Sequence, residues 1–343
     1  MDYEAHLKPW SSSRIEDLCM CPTWGIVHGQ RRYGSAARSM ALEAGELMHK
    51  MFAAVRIWQL WRIQKLKGHA DVTAYRVFGQ DMWKKITDKA RGQIGRDELL
   101  SLCFAVLHES GWVDDPKDNI RTMSNMEVAT IEYVDERIKV MKSWPIWVAN
   151  EFDSNSKVGI EQVFDVVLQY DDEYKLRYIG TVDGLVLDAS RSPMVPTLED
   201  NKTASRLDSG FQYATHMKYQ FTGYMACSTA VFGIQVFEGR VLGVKIKRSN
   251  TGENYASLPI TRDFDAIAKW GNDIRWYVQN MYEPFGEQGY EEAPRFTHSC
   301  NRFFRPCSLI PFCSDSPEGR RIAFEQEMVP VTPSPSERAI LEA

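Results

Sequence analysis

Asp200-Asn201-Lys202 and the more distant Asp183 are the side chains of this 343-residue chain best suited to chemistry on a charged substrate. In a strand, residues two apart share a face, so Asp200 and Lys202 point together while Glu199 and Asn201 point the other way. That alternation selects Asp200, rather than Glu199, as the acid that joins Lys202 in a site. Asp183 ends a neighbouring predicted strand, 178–183, and hairpin geometry is expected to bring its carboxylate beside that of Asp200. Two hard oxygen ligands meeting there suit Mg²⁺ or Mn²⁺. The metal would act as Lewis acid, and Lys202 would position or deprotonate the attacking water or stabilise transition-state charge. Taken alone, an acid and a lysine two apart also describe an ordinary cross-strand surface pair.

A second set of chemically capable residues frames the first. Cys300, Cys307 and Cys313 lie near the C-terminus, and Cys21-Pro22 lies almost three hundred residues upstream. Four thiolates would hold Zn²⁺ tetrahedrally or a [4Fe–4S] cluster, stapling the two ends of the chain. Seven cysteines is an odd number, and the expected reducing compartment disfavours structural disulfides. Cys103 and Cys227 sit in apolar helical patterns and read as core. Cys19 is an alternative to Cys21.

Composition bounds the partners. With 41 basic and 46 acidic side chains the formal charge is -5, so no global positive field marks a nucleic-acid binder and any such binding must be local. Basic residues cluster at Arg31-Arg32, at Lys65 and Lys67, at Lys245, Lys247 and Arg248, and at Arg302 and Arg305, groupings that also suit solvated faces. No signal peptide and no membrane-length apolar run is present, which gives an expectation of a cytoplasmic protein without a membrane partner. The length and the 12% aromatic content suit a full packed core.

These residues need elements to position them. Ser11-Ser12-Ser13 offers capping hydroxyls for a short helix ending near Cys21-Pro22. Met40, Leu47, Met51, Ala54, Val55 and Trp58 recur at helical spacing over 36–62, with His49 inside that helix. Residues 75–150 read as mostly helical. Strands are expected at 158–170, 176–187 and 194–203 as an antiparallel meander, then a helix over 210–230, a strand over 234–246 and a helix over 261–281. After Pro284 the chain reads as loop, with an irregular tail from about 316. The organisation expected is an N-terminal segment 1–35 with Cys21, a helical region 36–150 with His49, a core 151–283, and a C-terminal segment and tail 284–343.

Taken in order, Ser13 to Pro22, Gly45-Glu46-Leu47-Met48-His49, Gly180-Thr181-Val182-Asp183-Gly184, Asp200-Asn201-Lys202-Thr203, Gln220-Phe221-Thr222-Gly223-Tyr224 and Cys300, Cys307, Cys313 follow a familiar sequence. The chain resembles the PD-(D/E)XK nuclease superfamily, in its RecB-like branch with an iron-sulfur cluster, which includes the AddB nuclease domain and the CRISPR-associated RecB-like exonucleases. The resemblance implies an α/β fold with a restriction-endonuclease-like mixed sheet flanked by helices, a helical insertion, and N- and C-terminal regions stapled by a [4Fe–4S] cluster on Cys21, Cys300, Cys307 and Cys313. It implies that His49, Asp183 and Asp200 ligate the metal with the main-chain carbonyl of Asn201, and that Lys202 is the catalytic lysine. Gln220 and Tyr224, one turn apart, match the Q-x-x-x-Y element that orients the site and contacts DNA, and Glu161 falls where the family often has an acid. The chain departs from the pattern in having no proline before Asp183, Asn201 where an aromatic is common, and six residues between Cys300 and Cys307.

The expected function is metal-dependent DNA hydrolysis, exonucleolytic, on single-stranded or unwound ends, in a phage-type stand-alone member that could form oligomers. The alternatives are a DNA-binding or assembly subunit of a recombination or CRISPR-adaptation-type complex, in which cutting is secondary, and a structural zinc protein in which the D-x-K match is accidental.

Overall fold

A computed structural model describes residues 8–30, 33–34, 40–63, 67–139, 143–145, 147–148, 157–188, 190, 192–204, 206–216, 218–246, 254–286, 289–296, 300–302, 305–307, 309–326 and 329–330. Arg31, Arg32, Lys65, Lys247, Arg248 and the tail beyond 330 lie outside them. The longer helices are α1 (Ser12–Met20), α2 (Met40–Trp61), α3 (Lys67–Phe78), α4 (Gln80–Ala90), α5 (Gly95–His108), α6 (Met123–Lys139), α7 (Ser209–His216), α8 (Tyr219–Phe232), α9 (Phe264–Tyr277) and α10 (Pro317–Gln326). The strands that matter here are β1 (Pro9–Trp10), β2 (Ser143–Pro145), β3 (Ile160–Gln169), β4 (Lys175–Asp188), β5 (Val195–Ala204), β6 (Glu238–Lys245) and β7 (Tyr255–Thr261). The protein is mixed α/β, with a mixed sheet flanked by helices.

Two compact units divide the chain, one built from Ser39–Gln162 and Thr181–Arg262, the other from Met1–Arg38, Val163–Gly180 and Asp263–Ala343. In the first, which carries Asp183, Asp200 and Lys202, strands run in the order β2-β4-β5-β6-β7. β4 is antiparallel to β5 with Gly184 opposite Glu199, β5 is parallel to β6 with Asp200 beside Val241, and β7 returns antiparallel to β6. A parallel β5–β6 pair needs a crossover, and α7 and α8 supply it. Those helices cover the Asp200 face of the sheet. A Cβ at Gly239 would meet Met225 of α8, and one at Gly243, the neighbour of Lys202, would meet Phe211 of α7.

The opposite face packs against the helical region. α2 is apolar nearly all round from Met51 to Leu60, as a helix enclosed by others must be. It packs against α3 and α5, and the core there runs through Phe52, Ile57, Leu99, Leu102 and Val106. Two polar residues, Arg56 and Gln59, are nonetheless buried within it, at 0% and 2% exposure.

In the second unit, β1 lies parallel to the start of β4, with Trp10 beside Tyr178. Tyr178 packs edge-on against Trp270 of α9, and Trp10 against Tyr282. The two ends of the chain meet in this unit. Thr23 Oγ1 donates to the carbonyl of Ala293 at 3.0 Å, and its N–H to that of Pro294 at 3.3 Å.

Several sequence expectations needed correction. The helical reading of 75–150 ends at Lys139, and Ser143–Pro145 forms a strand on the sheet edge against β4. The single helix over 210–230 is two, because Arg262 ties them at a break: its Nη2 donates to the His216 carbonyl at 2.5 Å and its Nε to Thr222 Oγ1 at 2.9 Å. β7 was not expected, and its Pro259 is tolerated as on an edge strand. The irregular tail instead begins with α10, where Gly319 N–H bonds Ser316 Oγ and Arg321 pairs with Glu318 and Glu325 one turn either side. Cys103 and Cys227 are core residues, as expected.

Candidate metal centre

Five side chains from four elements converge in the first unit. The β4–β5 ladder ends at the pair Gly184–Glu199, and one residue further on a side chain takes the place of the backbone. There Asp183 Oδ2 accepts the Asn201 N–H at 2.8 Å. The same oxygen lies 3.3 Å from Nδ1 of His49, carried in from α2. Glu161 of β3 completes a triad: one ligand atom each from His49, Glu161 and Asp183 all lie within 4.8 Å of one another. Asp200, 1% exposed, stands beside them on β5, and Lys202 Nζ is 2.6 Å from its Oδ2. Lys202 is the outward member of the pair, its side chain 23% exposed.

Glu161 is the only non-glycine residue with positive φ, 45°, among the described residues. A left-handed residue bearing a Cβ costs on the order of 1–3 kcal/mol and persists where its surroundings over-determine it.

The electrostatics are those of crowded, buried acids beside an imidazole and an ammonium group. Burial opposes charge on Asp183, but His49 beside it, then Lys202 and the Asn201 N–H, outweigh burial and hold its carboxyl below the usual range. Burial and the neighbouring Asp183 push Glu161 the other way, well above that range. Asp200 is also raised, by burial against the pull of Lys202, with Asp183 adding to the rise. His49 is raised although burial lowers it, because Asp183 and Glu161 favour the imidazolium. Like charges this close cannot all ionise without compensation. Glu161 Oε1 and both Asp200 oxygens are buried without a hydrogen bond, the Asp200–Lys202 contact being a close charge pair of poor hydrogen-bond geometry. Unsatisfied carboxylate oxygens beside an imidazole form a donor set that fits Mg²⁺ or Mn²⁺.

The expected alternation along β5 is observed. Glu199 and Asn201 turn away from Asp200 and Lys202 into a buried basic network. Glu199, fully buried, receives Arg56 Nε at 3.2 Å, Arg137 Nη1 and Nη2 at 3.0 and 3.2 Å, and Arg240 Nε at 2.9 Å. The Asn201 amide, oriented with its oxygen toward Arg56, accepts from that guanidinium as well. Gly184 leaves room for it, since a Cβ there would lie 2.5 Å from Arg56 Nε. Arg56 lies two turns beyond His49 on α2, so one helix delivers both the imidazole and the brace behind β5. None of these arginines was anticipated. The available signal was a charged residue inside the otherwise apolar run 51–58.

Gln220 and Tyr224 pair on α8, Gln220 Nε2 donating to the Tyr224 hydroxyl at 3.0 Å. This helix lies on the Asp200 face of the sheet.

The four expected cysteines all belong to the second unit. Burial first, then the thiols of Cys21, Cys307 and Cys300, push Cys313 up to about 11. Cys307 N–H donates to the Cys300 carbonyl at 2.7 Å, and Leu309 N–H to Cys307 Sγ at 3.4 Å. Cys19, half-buried, instead bonds Tyr277, which leaves Cys21 as the cysteine of that pair that acts on Cys313. A closed zinc tetrahedron would hold sulfurs about 3.8 Å apart. Among the described residues no three cysteine sulfurs lie within 4.8 Å of one another.

No described helix is long and apolar enough to cross a membrane. Set against protein-family models and curated protein sequences, the chain matches none, so its site is read from its own geometry.

Proposed function

We propose that this protein is a metal-dependent deoxyribonuclease of the PD-(D/E)XK kind, acting on single-stranded or unwound DNA ends. The observation that carries the reading is the convergence of His49, Glu161, Asp183, Asp200 and Lys202, drawn from positions more than 150 residues apart in the chain. The antiparallel β4–β5 pair followed by a helical crossover to parallel β6 supports a restriction-endonuclease-like core. A bound divalent cation would supply Lewis acidity at the scissile phosphate and acidify a water.

The chain's own residues do the rest. Asp183 and Asp200 would hold the cation, Glu161 and His49 would complete the protein's share, and the Asn201 N–H fixes the Asp183 carboxylate. Lys202, the less buried partner, would orient a water or face a phosphate oxygen with its positive charge. The four cysteines would hold a [4Fe–4S] cluster. Cys21, Cys307 and Cys300 all bear electrostatically on Cys313, which supports a shared centre, and one remote N-terminal cysteine with a C-terminal trio favours a cluster over Zn²⁺.

The test is incubation of the full chain with end-labelled single- and double-stranded DNA. Shortening in Mn²⁺ or Mg²⁺ and none in EDTA is expected. Equal cleavage in EDTA, or none with either metal, would overturn the proposal.

A further inference from the structure

The positive-φ backbone at Glu161, the second residue of β3, is held from outside the site. Gly159, two residues earlier, is pressed against β4: a Cβ there would lie 2.3 Å from the Leu185 carbonyl oxygen, and the Leu185 N–H donates to the Gly159 carbonyl at 2.9 Å. The next two anchors come from one side chain. Arg76, on α3, donates from Nη2 to the Ile160 carbonyl at 2.6 Å and from Nη1 to Gln162 Oε1 at 3.1 Å. A single guanidinium therefore grips the residues on either side of Glu161, at the one non-glycine position with positive φ among the described residues. Between those grips the Glu161 carboxylate reaches His49 and Asp183, its buried Oε1 free of hydrogen bonds.

We infer that Arg76 is a positioning residue for the metal centre, whose forked guanidinium locks the strained backbone that aims Glu161 at the cation. The inference rests on the metal-site reading above. In regular β geometry, the backbone that β3 adopts beyond it, successive side chains alternate between faces, and a Glu161 that relaxed to it would swing its carboxylate off the His49–Asp183 pair. The fork matters as well as the charge, because a lysine has a single nitrogen to offer where two acceptors must be gripped in fixed geometry. Arg76 is exposed as a residue, with its guanidinium partly buried where it bonds β3, so melting temperatures accompany each variant.

The experiment is Mn²⁺ affinity of the full chain, followed by electron paramagnetic resonance, for wild type, Arg76→Met, Arg76→Lys, Glu161→Gln and the double variant Arg76→Met/Glu161→Gln, with melting temperatures alongside. Arg76→Met is expected to weaken Mn²⁺ by about tenfold or more, the scale of support from residues behind a metal ligand. Glu161→Gln should do the same, and the double variant should be no weaker than Glu161→Gln, since both lesions remove one ligand. Arg76→Lys should fall between wild type and Arg76→Met. Wild-type affinity in Arg76→Met, or effects of the two lesions that multiply, would overturn the positioning role while leaving the metal site standing. A wild-type protein that binds no Mn²⁺ would overturn the metal site and this role with it. Should Arg76→Met fail to fold, Gln162→Ala, which removes one of the two anchors, is expected to weaken Mn²⁺ by a few-fold, and an unchanged affinity there counts against the role.

Discussion

Asp200→Asn is expected to lower the rate of metal-dependent DNA cleavage by on the order of 10³-fold or more while leaving the protein folded and at least as stable as wild type. The size follows from losing a charged ligand at a centre that stabilises a transition state by several kcal/mol, at one decade of rate per ~1.4 kcal/mol. The stability follows from the geometry. Neither Asp200 oxygen receives a good hydrogen bond, and the carboxylate is buried beside the like charge of Asp183. Substituting a neutral side chain of equal size relieves that repulsion, so metal-free protein should melt at the same temperature or higher, as sites strained for function do. Lys202→Met should lose cleavage comparably. Its metal-free stability should fall, because Asp200 is then buried without a cation beside it. Cleavage by Asp200→Asn within tenfold of wild type would show that the chemistry lies elsewhere.

The neighbouring residue should give the opposite phenotype. Glu199→Gln is expected to destabilise the fold by about 3–5 kcal/mol, because it removes the anion that Arg56, Arg137 and Arg240 share out of reach of water. In a protein of this size that is a fall in melting temperature on the order of 10 °C. The effect depends on pH with a definite sign. Burial works against the Glu199 charge, yet the three guanidinium groups hold its carboxyl far below the ordinary range. Its stabilisation is therefore complete above the ordinary glutamate range and is lost as pH falls toward the folded value, so the gap between wild type and Glu199→Gln should narrow in acid. Thermal melts at neutral and acid pH measure both statements. A neutral-pH melting temperature within a degree of wild type would contradict the reading of this network as a structural brace.

Adjacent acids with opposite duties illustrate what a sequence can reveal. The period of two along 199–202 is a local property of any strand, so it sorted Glu199 from Asp200 before any fold was known. The register that puts Asp183 beside Asp200 was legible too, since two β-branched runs joined by a turn composition leave few pairings. What occupies the far face was not. Arg56 and Arg137 reach Glu199 from 143 and 62 residues away, and periodicity carries no information about such partners. The unusual backbone of Glu161 was invisible for a related reason: a left-handed glutamate contradicts local preference, and its neighbours are anchored by Leu185 and Arg76 from elsewhere in the chain. β7 was hidden by its proline and short length, and the edge strand at Ser143–Pro145 by a helical pattern that ends close before it. The cysteines stand out in sequence because thiols are scarce, while the meeting of both chain ends around Thr23 and Pro294 carries no signal in local periodicity.

All of these arguments meet at the cation proposed to sit among His49, Glu161 and Asp183, with Asp200 beside them. Titration of Mn²⁺ into the full chain, read by electron paramagnetic resonance beside the Asp183→Asn variant, tests that meeting most directly. A saturable wild-type site that Asp183→Asn abolishes, with both proteins folded, is the expected result. Equal binding by the two proteins, or none by either, would contradict it.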